Sequence, residues 1–253
     1  MIYGLYASAA GVRASSHRLD VVTNNLANSE TTGFKRDLAI FQERHTAAAG
    51  EGLNAKTQSN PDLEALGGGM LVGQTSVDLS QGELESTGNP MDFALQGKGF
   101  FAIREGQGTA LTRDGRFITN RDGYLVTATT GRWVLDQNRQ PILLKKGVPV
   151  TVAGDGTISQ GKEVMGKVGV FDVPDQRQIT KHGDGLFGYP DLDKRMKAGD
   201  GAIVNGAMER SNADAMKELA SLMDASRNLE ANANLIRYQD QTLSLLVNVG
   251  KIS

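Results

Sequence analysis

Residues 211–248, SNADAMKELASLMDASRNLEANANLIRYQDQTLSLLVN, carry the repeat that decides the architecture. Leu222, Leu229, Ile236 and Leu243 recur every seven residues, with Ala225 and Leu246 on the adjoining seam. Ser211 and Asp214 have the spacing of a capping box that would open the helix. Running to Asn248, it would be roughly 54 Å long, about three times the usual length in a globular protein. A narrow apolar stripe on so long a helix is stable only when another helix covers it.

The covering partner is predicted at the other end of the chain. Leu5, Val12, Leu19 and Leu26 also recur every seven residues, with Ile2 and Ala9 three before the first two. This predicts a helix from about Gly4 to Asn28. Both seams are impure. Asn232 and Gln239 interrupt the C-terminal one, and Ser16 and Thr23 the N-terminal one. Polar seam residues weaken a helix pair but fix its register and its choice of partner. The pattern fits helices that complete their packing only on assembly, or an intramolecular pair that tolerates two polar sites.

After Asn28 the chain turns polar. Gly33 is expected to take a positive φ that lets Phe34 fold back onto apolar surface. Residues 46–69, rich in Ala, Gly, Asn and Ser, read as a long loop or linker. From about residue 71 to 205 the signals are those of a β-structure. Most of the 31 glycines fall here. Asp-Gly recurs at Asp114-Gly115, Asp122-Gly123, Asp155-Gly156, Asp184-Gly185 and Asp200-Gly201, each a candidate hairpin turn. Short strands are expected at Phe100–Ile103, Val148–Val152 and Val164–Phe171, forming a sandwich or distorted barrel. The expected fold is therefore α+β and multidomain. Residues 1–36 with 206–253 form a coiled-coil-like helical domain, 37–70 connect, and 71–205 form a Gly-rich, mainly-β outer domain.

Composition narrows the function. The chain has 253 residues, a formal net charge of -2 and no cysteine. That balance lacks the basic face of a nucleic-acid binder and opposes polymerisation with little repulsion. Absence of cysteine excludes disulfides, thiolate catalysis and Cys-based zinc sites. His17, His45 and His182 lie in three separate segments without metal-ligand spacing. The paired carboxylates Asp172/Asp175 and Asp191/Asp193 fall on predicted loops. Gly97-Lys98-Gly99 lacks the third glycine of a dinucleotide fingerprint. No enzyme, no cofactor and no metal site is expected. Trp133, the single tryptophan, reads as a half-buried sheet aromatic. The start of the chain lacks the basic n-region and continuous apolar run of a signal peptide.

Four stretches then resemble one family. Thr23 to Arg36, TNNLANSETTGFKR, with Asn24, Asn25, Leu26, Ala27, Asn28, Gly33 and Phe34, is similar to the N-terminal signature of bacterial flagellar rod and hook proteins. Gly88 to Phe101, GNPMDFALQGKGFF, with Gly97, Gly99, Phe100 and Phe101, resembles their second landmark. Thr112 to Phe117 with Asp122 to Leu125 resembles the third, and Glu209 to Asn232 the last. The compact length and room for one β-domain point to a rod rather than a hook subunit. The resemblance implies a structural subunit of the basal-body rod that spans the periplasm. Its partners would be copies of itself, neighbouring rod proteins and the flagellar type III export apparatus, with no nucleic acid or small-molecule substrate. Export without a cleaved signal peptide is also implied. The terminal helices would line an inner tube through Leu5, Val12, Leu19, Leu26, Leu222, Leu229, Asn232, Ile236, Gln239 and Leu243. The competing class is a secreted β-domain that binds a glycan and is oligomerised by its helices.

Overall fold

The computed structural model describes residues 2–43 and 70–250. The predicted linker 46–69, and with it His45, lies outside the described residues. The chain divides into two compact units. A helical unit comprises Met1–Leu26, Asp37–Ser76 and Ala215–Ser253, and a β-rich unit comprises Ala27–Arg36 and Val77–Asp214. The segment 27–36 therefore folds with the β-structure.

The helical unit holds α1 (Ile2–Ala27) and a 36-residue C-terminal helix (Ala215–Gly250). The predicted capping box at its start is replaced by another arrangement. Ser211 Oγ accepts from Ala213 N at 3.1 Å and the helix opens after Asp214. The two helices run antiparallel and close. A Cβ built on Gly4 would lie 2.9 Å from Gln239 Nε2, and one on Gly11 would lie 2.9 Å from the Asn232 carboxamide. Glycines seven residues apart thus receive side chains seven residues apart. Seven residues further along the seam Ala225 is fully buried, and beyond it Asn25 and Glu218 are buried as well. A short antiparallel pair, Phe41–Glu43 with Met70–Val72, completes this unit.

In the β-rich unit the largest sheet has six strands. Their order is Thr180–Lys181, Leu186–Gly188, Gly108–Thr112, Phe100–Glu105, Val170–Asp172 and Lys197–Ala198. Alternation along Phe100–Glu105 explains the apolar run FFAI. Phe101 and Ile103 enter one core with Phe93, Phe117, Leu125 and Val168; Phe100 and Ala102 enter a second with Leu111, Leu135, Phe171 and Phe187. A strand covered on both faces reads as continuous hydrophobicity rather than as alternation. Smaller sheets flank it: a three-stranded one (Thr151–Val152, Thr157–Gln160, Glu163–Lys167) and two-stranded pairs. The expected continuous strands at 148–152 and 164–171 are cut short. Only Thr151–Val152 remains of the first, and Val168-Gly169 interrupts the second.

The five Asp-Gly pairs divide. Three sit in antiparallel hairpins, at Asp122, Asp155 and Asp184. Only Asp184-Gly185, with φ 50 and 70 and a Gly183 O to Leu186 N bond of 2.8 Å, has both central residues left-handed, as a type I′ turn requires. At Asp122 the loop is longer, and Asn120 Oδ1 accepts from the N–H groups of Asp122 and Tyr124. Asp114-Gly115 and Asp200-Gly201 join strands of different sheets. In both places a neighbouring carbonyl occupies the space a Cβ would need, Phe93 O at 1.6 Å and Lys98 O at 2.5 Å. Glycine serves close approach there, which an Asp-Gly pattern does not distinguish from a turn.

Candidate assembly surface and the buried ion node

The predicted interface residues of the helical unit share one property. Leu5, Val12, Leu19, Leu26, Leu222, Leu229, Asn232, Ile236, Gln239 and Leu243 are all half-buried. The positions most deeply covered are instead small or polar: Ser8, Ala14, Asn25, Glu218 and Ala225, with Val21 and Val22. Small residues let the two backbones approach, and the larger heptad side chains flank the seam. His17 is half-buried, its ring edge-on to Phe41 with the centroids 6.3 Å apart.

Large apolar side chains stay exposed toward both ends of the C-terminal helix, with exposed Arg227, Glu230 and Asn234 between them. Leu219, Met223, Tyr238 and Leu245 are 41%, 49%, 66% and 66% exposed. At 3.6 residues per turn they lie roughly opposite Ala225, Asn232 and Gln239. On α1, Tyr6 is 72% exposed. Exposed large side chains at helical spacing mark a surface suited to another helix.

The signature residues sort by unit. Asn25 clasps the backbone of Asp37: its Nδ2 donates to Asp37 O (2.9 Å) and its Oδ1 accepts from Asp37 N (2.8 Å). Asn24 and Ala27 are exposed. Asn28 accepts from Thr31 through its backbone and side-chain oxygens. Gly33 has φ 69, as expected, and a Cβ there would meet Asp114 N at 2.5 Å and Arg113 C at 2.6 Å. Phe34 is buried beneath Lys181, whose Nζ stands 4.0 Å from the ring centroid. Gly97 and Gly99 flank the turn into Phe100–Glu105, and Phe100 and Phe101 are buried in opposite cores.

Within the first landmark, the residue whose role local pattern does not expose is Lys35. It is fully buried, and its Nζ donates to Glu209 Oε1 at 2.5 Å and to Ser80 O at 2.8 Å. Glu209 is equally buried. Its Oε1 also accepts from Gly82 N (2.9 Å), and its Oε2 accepts from Arg113 NH1 (3.1 Å). Arg113 in turn donates to Gly97 O at 2.8 Å and lies over the Phe100 ring. Burial pushes the Lys35 ammonium below its ordinary range, against the pull of the Glu209 carboxylate. Around this node the backbone is stitched. Gly33 N donates to Glu209 O, and Asn212 N to Phe34 O. Asn212 Oδ1 accepts from Arg36 N, while its Nδ2 donates to Asp78 O and Ser80 O. Arg36 Nε pairs with Asp78 Oδ2 at 2.8 Å. Burial raises Asp78, but the bonds from Arg36 and Ser80 outweigh it and hold the carboxyl below its ordinary 3.8. Arg36, Asp78 and Asn212 each stand within two residues of a point where the chain leaves this unit. Within the β-rich unit, these bonds join the segments around Arg36, Asp78 and Asn212 to one another.

Among the described residues there is no cluster of three or more metal-ligating side chains, and no helix long and apolar enough to cross a membrane.

Three stretches match described protein families. Residues 5–35 match "Flagella basal body rod protein", residues 94–160 "Flagellar hook protein FlgE/F/G D1 domain", and residues 204–249 "Flagellar basal body rod FlgEFG protein C-terminal". Lys35, Arg113 and Glu209 fall one in each. Whole-length relatives agree. FlgF of Caulobacter vibrioides is 33% identical over 254 residues, covering 98% of both chains. FlgG of Bacillus subtilis is 30% identical over 264 residues, covering 98% of this chain and 99% of the relative. FlgF of Mesorhizobium japonicum is 30% identical over 235 residues, covering 92% and 91%. The chain belongs to the flagellar basal-body rod protein family.

Proposed function

We propose that the chain is a structural subunit of the bacterial flagellar basal-body rod, joining copies of itself and neighbouring rod proteins through its terminal helices. The observation that carries this reading is the set of large apolar side chains left exposed on the C-terminal helix, among them Leu219, Met223, Tyr238 and Leu245, away from the seam that α1 fills. Burial of such side chains contributes about 1.5–3 kcal/mol each, enough to order a helix pair that is marginal alone. Heterologous contacts whose rotation does not close generate an open helical tube rather than a ring, which is the arrangement this reading requires. In this reading the helical unit supplies the inner, coiled-coil-like layer of the rod and the β-rich unit its outward part. The tube carries the export channel and transmits torque across the periplasm. Subunits reach it through the flagellar type III export apparatus. The half-buried Leu5, Val12, Leu19, Leu26, Leu222, Leu229, Ile236 and Leu243 flank the seam and complete their burial against neighbouring subunits. Catalysis and cofactors have no part in this role.

Within the family the region after Phe41 and the ending Leu245 to Ile252 favour FlgF. The second reading is FlgG, which Asn24 to Asn28 and Gly97 to Phe101 suit equally, and which also names relatives at about the same identity.

The test is complementation of a deletion strain with Tyr238→Asp, followed by purification of basal bodies. The expected outcome is loss of the chain from basal bodies and loss of swimming, with helical circular dichroism of the purified variant unchanged. Normal incorporation would refute the assembly role of these side chains.

A further inference from the structure

The β-rich unit has a sheet that is apolar on both sides. Phe117–Thr119 pairs with Leu125–Thr127, placing Ile118 opposite Val126. Isolated bridges extend the rows, with Val126 opposite Trp133 and Tyr124 opposite Leu143. Residues opposite each other share a face, and so do residues two apart. Phe117, Leu125, Val134, Ile142 and Leu144 therefore point into the core, where all are buried. Ile118, Tyr124, Val126, Trp133 and Leu143 point the other way. That side should be polar if water were its permanent neighbour. Instead Ile118, Trp133 and Leu143 are 49%, 42% and 49% exposed, and the Tyr124 and Trp133 rings pack at 5.4 Å with an interplanar angle of 36°. Val126, flanked by Ile118 and Trp133, is covered.

We propose that this outer face is a contact surface for a second copy of the chain within the rod, a proposal that rests on the rod reading above. Two features select that occupant. First, two of the charged side chains nearest the face are paired. Arg116 is bound to Asp114 through two bonds, at 3.0 and 2.8 Å, and Lys145 beyond Leu143 is paired with Glu163. With Arg121 and Asp122 in the hairpin loop of opposite sign, the rim gathers no single-sign charge, and the aliphatic and aromatic side chains within it suit apolar protein surface rather than an ionic ligand. The rings are tilted rather than coplanar, so they do not form a flat platform for a sugar. Second, the face is small. Taking about 150–250 Å² for a large side chain, its exposed part is on the order of 300 Å². A stable free complex needs about 800 Å² per partner. The face is therefore too small to hold a partner from solution and is useful to one already tethered by another contact. A neighbouring copy, held through the helices, meets that condition, because tethering raises its effective concentration at the face.

The experiment places a photoreactive benzophenone side chain at position 143 of the full chain in flagellated cells, irradiates, and purifies basal bodies. The expected result is an adduct of twice the 27.0 kDa chain mass, with the crosslinked peptide from a second copy. The same side chain at position 118 should give the same partner. A chain present in basal bodies that yields no adduct, or an adduct only with a different protein or with glycan, overturns the proposal and leaves the rod reading standing. Absence of the chain from basal bodies overturns the rod reading and this proposal with it.

Discussion

Replacing Glu209 by Gln tests whether the buried node holds the β-rich unit together. The substitution keeps the side-chain volume, and the amide oxygen can still accept from Gly82 N. What is lost is the charge. Lys35 and Arg113, at 2.5 and 3.1 Å, are left as two buried cations facing a neutral amide. Breaking a buried ion pair by removing one partner costs about 3–5 kcal/mol, because the remaining charge is uncompensated. For a domain of this size each kcal/mol moves Tm by about 2–4 °C, so the fall should be about 6–20 °C. Lys35→Met removes the ammonium, which burial already disfavours, and leaves Glu209 bound to Arg113 and Gly82; its cost should be smaller, about 1–3 kcal/mol. The double variant no longer carries an unpaired Lys35. It should be more stable than the sum of the two losses predicts, by about 2 kcal/mol. The assay is urea unfolding followed by fluorescence of Trp133, the only tryptophan, which reports the β-rich unit alone. A Glu209→Gln loss below about 1 kcal/mol, or additivity within about 0.5 kcal/mol, would refute the reasoning.

Three further outcomes are expected. Gly33→Ala meets both a positive φ and backbone atoms at 2.5 and 2.6 Å, so it should lower the urea midpoint by the equivalent of at least about 2 kcal/mol. A near-neutral result would show that the Arg113–Asp114 backbone gives way easily. Gly11→Val pushes on the Asn232 carboxamide and should lower the melting of the helical signal by about 1–3 kcal/mol while Trp133 fluorescence melts as before. Equal shifts in both signals would count against the packing described here. Because the Asp78 carboxyl lies below its ordinary 3.8, its contribution is complete above that value and is lost as pH falls through the folded value. Unfolding across an acid series should therefore show the wild type losing stability more steeply below about pH 4 than Asp78→Asn, and parallel curves would contradict the assigned role of Arg36.

The two long helices were legible because a seven-residue repeat survives in a single local stretch. The glycines that admit Asn232 and Gln239 were not, since Gly4 and Gly11 announce nothing until the antiparallel register is known. Among the turns, Asp184-Gly185 behaves as its dipeptide suggests, while Gly115 and Gly201 are glycines for lack of space, set by strands distant in sequence. The node was the least legible part. Lys35, Arg113 and Glu209 each sit in a recognisable landmark, yet a buried ion pair leaves no spacing in sequence when its halves lie 174 residues apart. The one available signal was a charged residue between buried neighbours, as in Gly33-Phe34-Lys35, and such a residue reads equally well as a solvated turn.

That separation also sets an order in time. Lys35 leaves the ribosome long before Glu209, and until Glu209 and Asn212 are present Lys35 lacks its carboxylate and the N–H groups of Gly33 and Arg36 lack their acceptors. Closing so long a loop is slow, and its entropy must be met before any of these contacts forms. The N-terminal signature is therefore among the first parts of the chain to be made and the last to settle. In a chain interrupted before residue 209, the Lys35 ammonium and the N–H groups of Gly33 and Arg36 must keep their water instead.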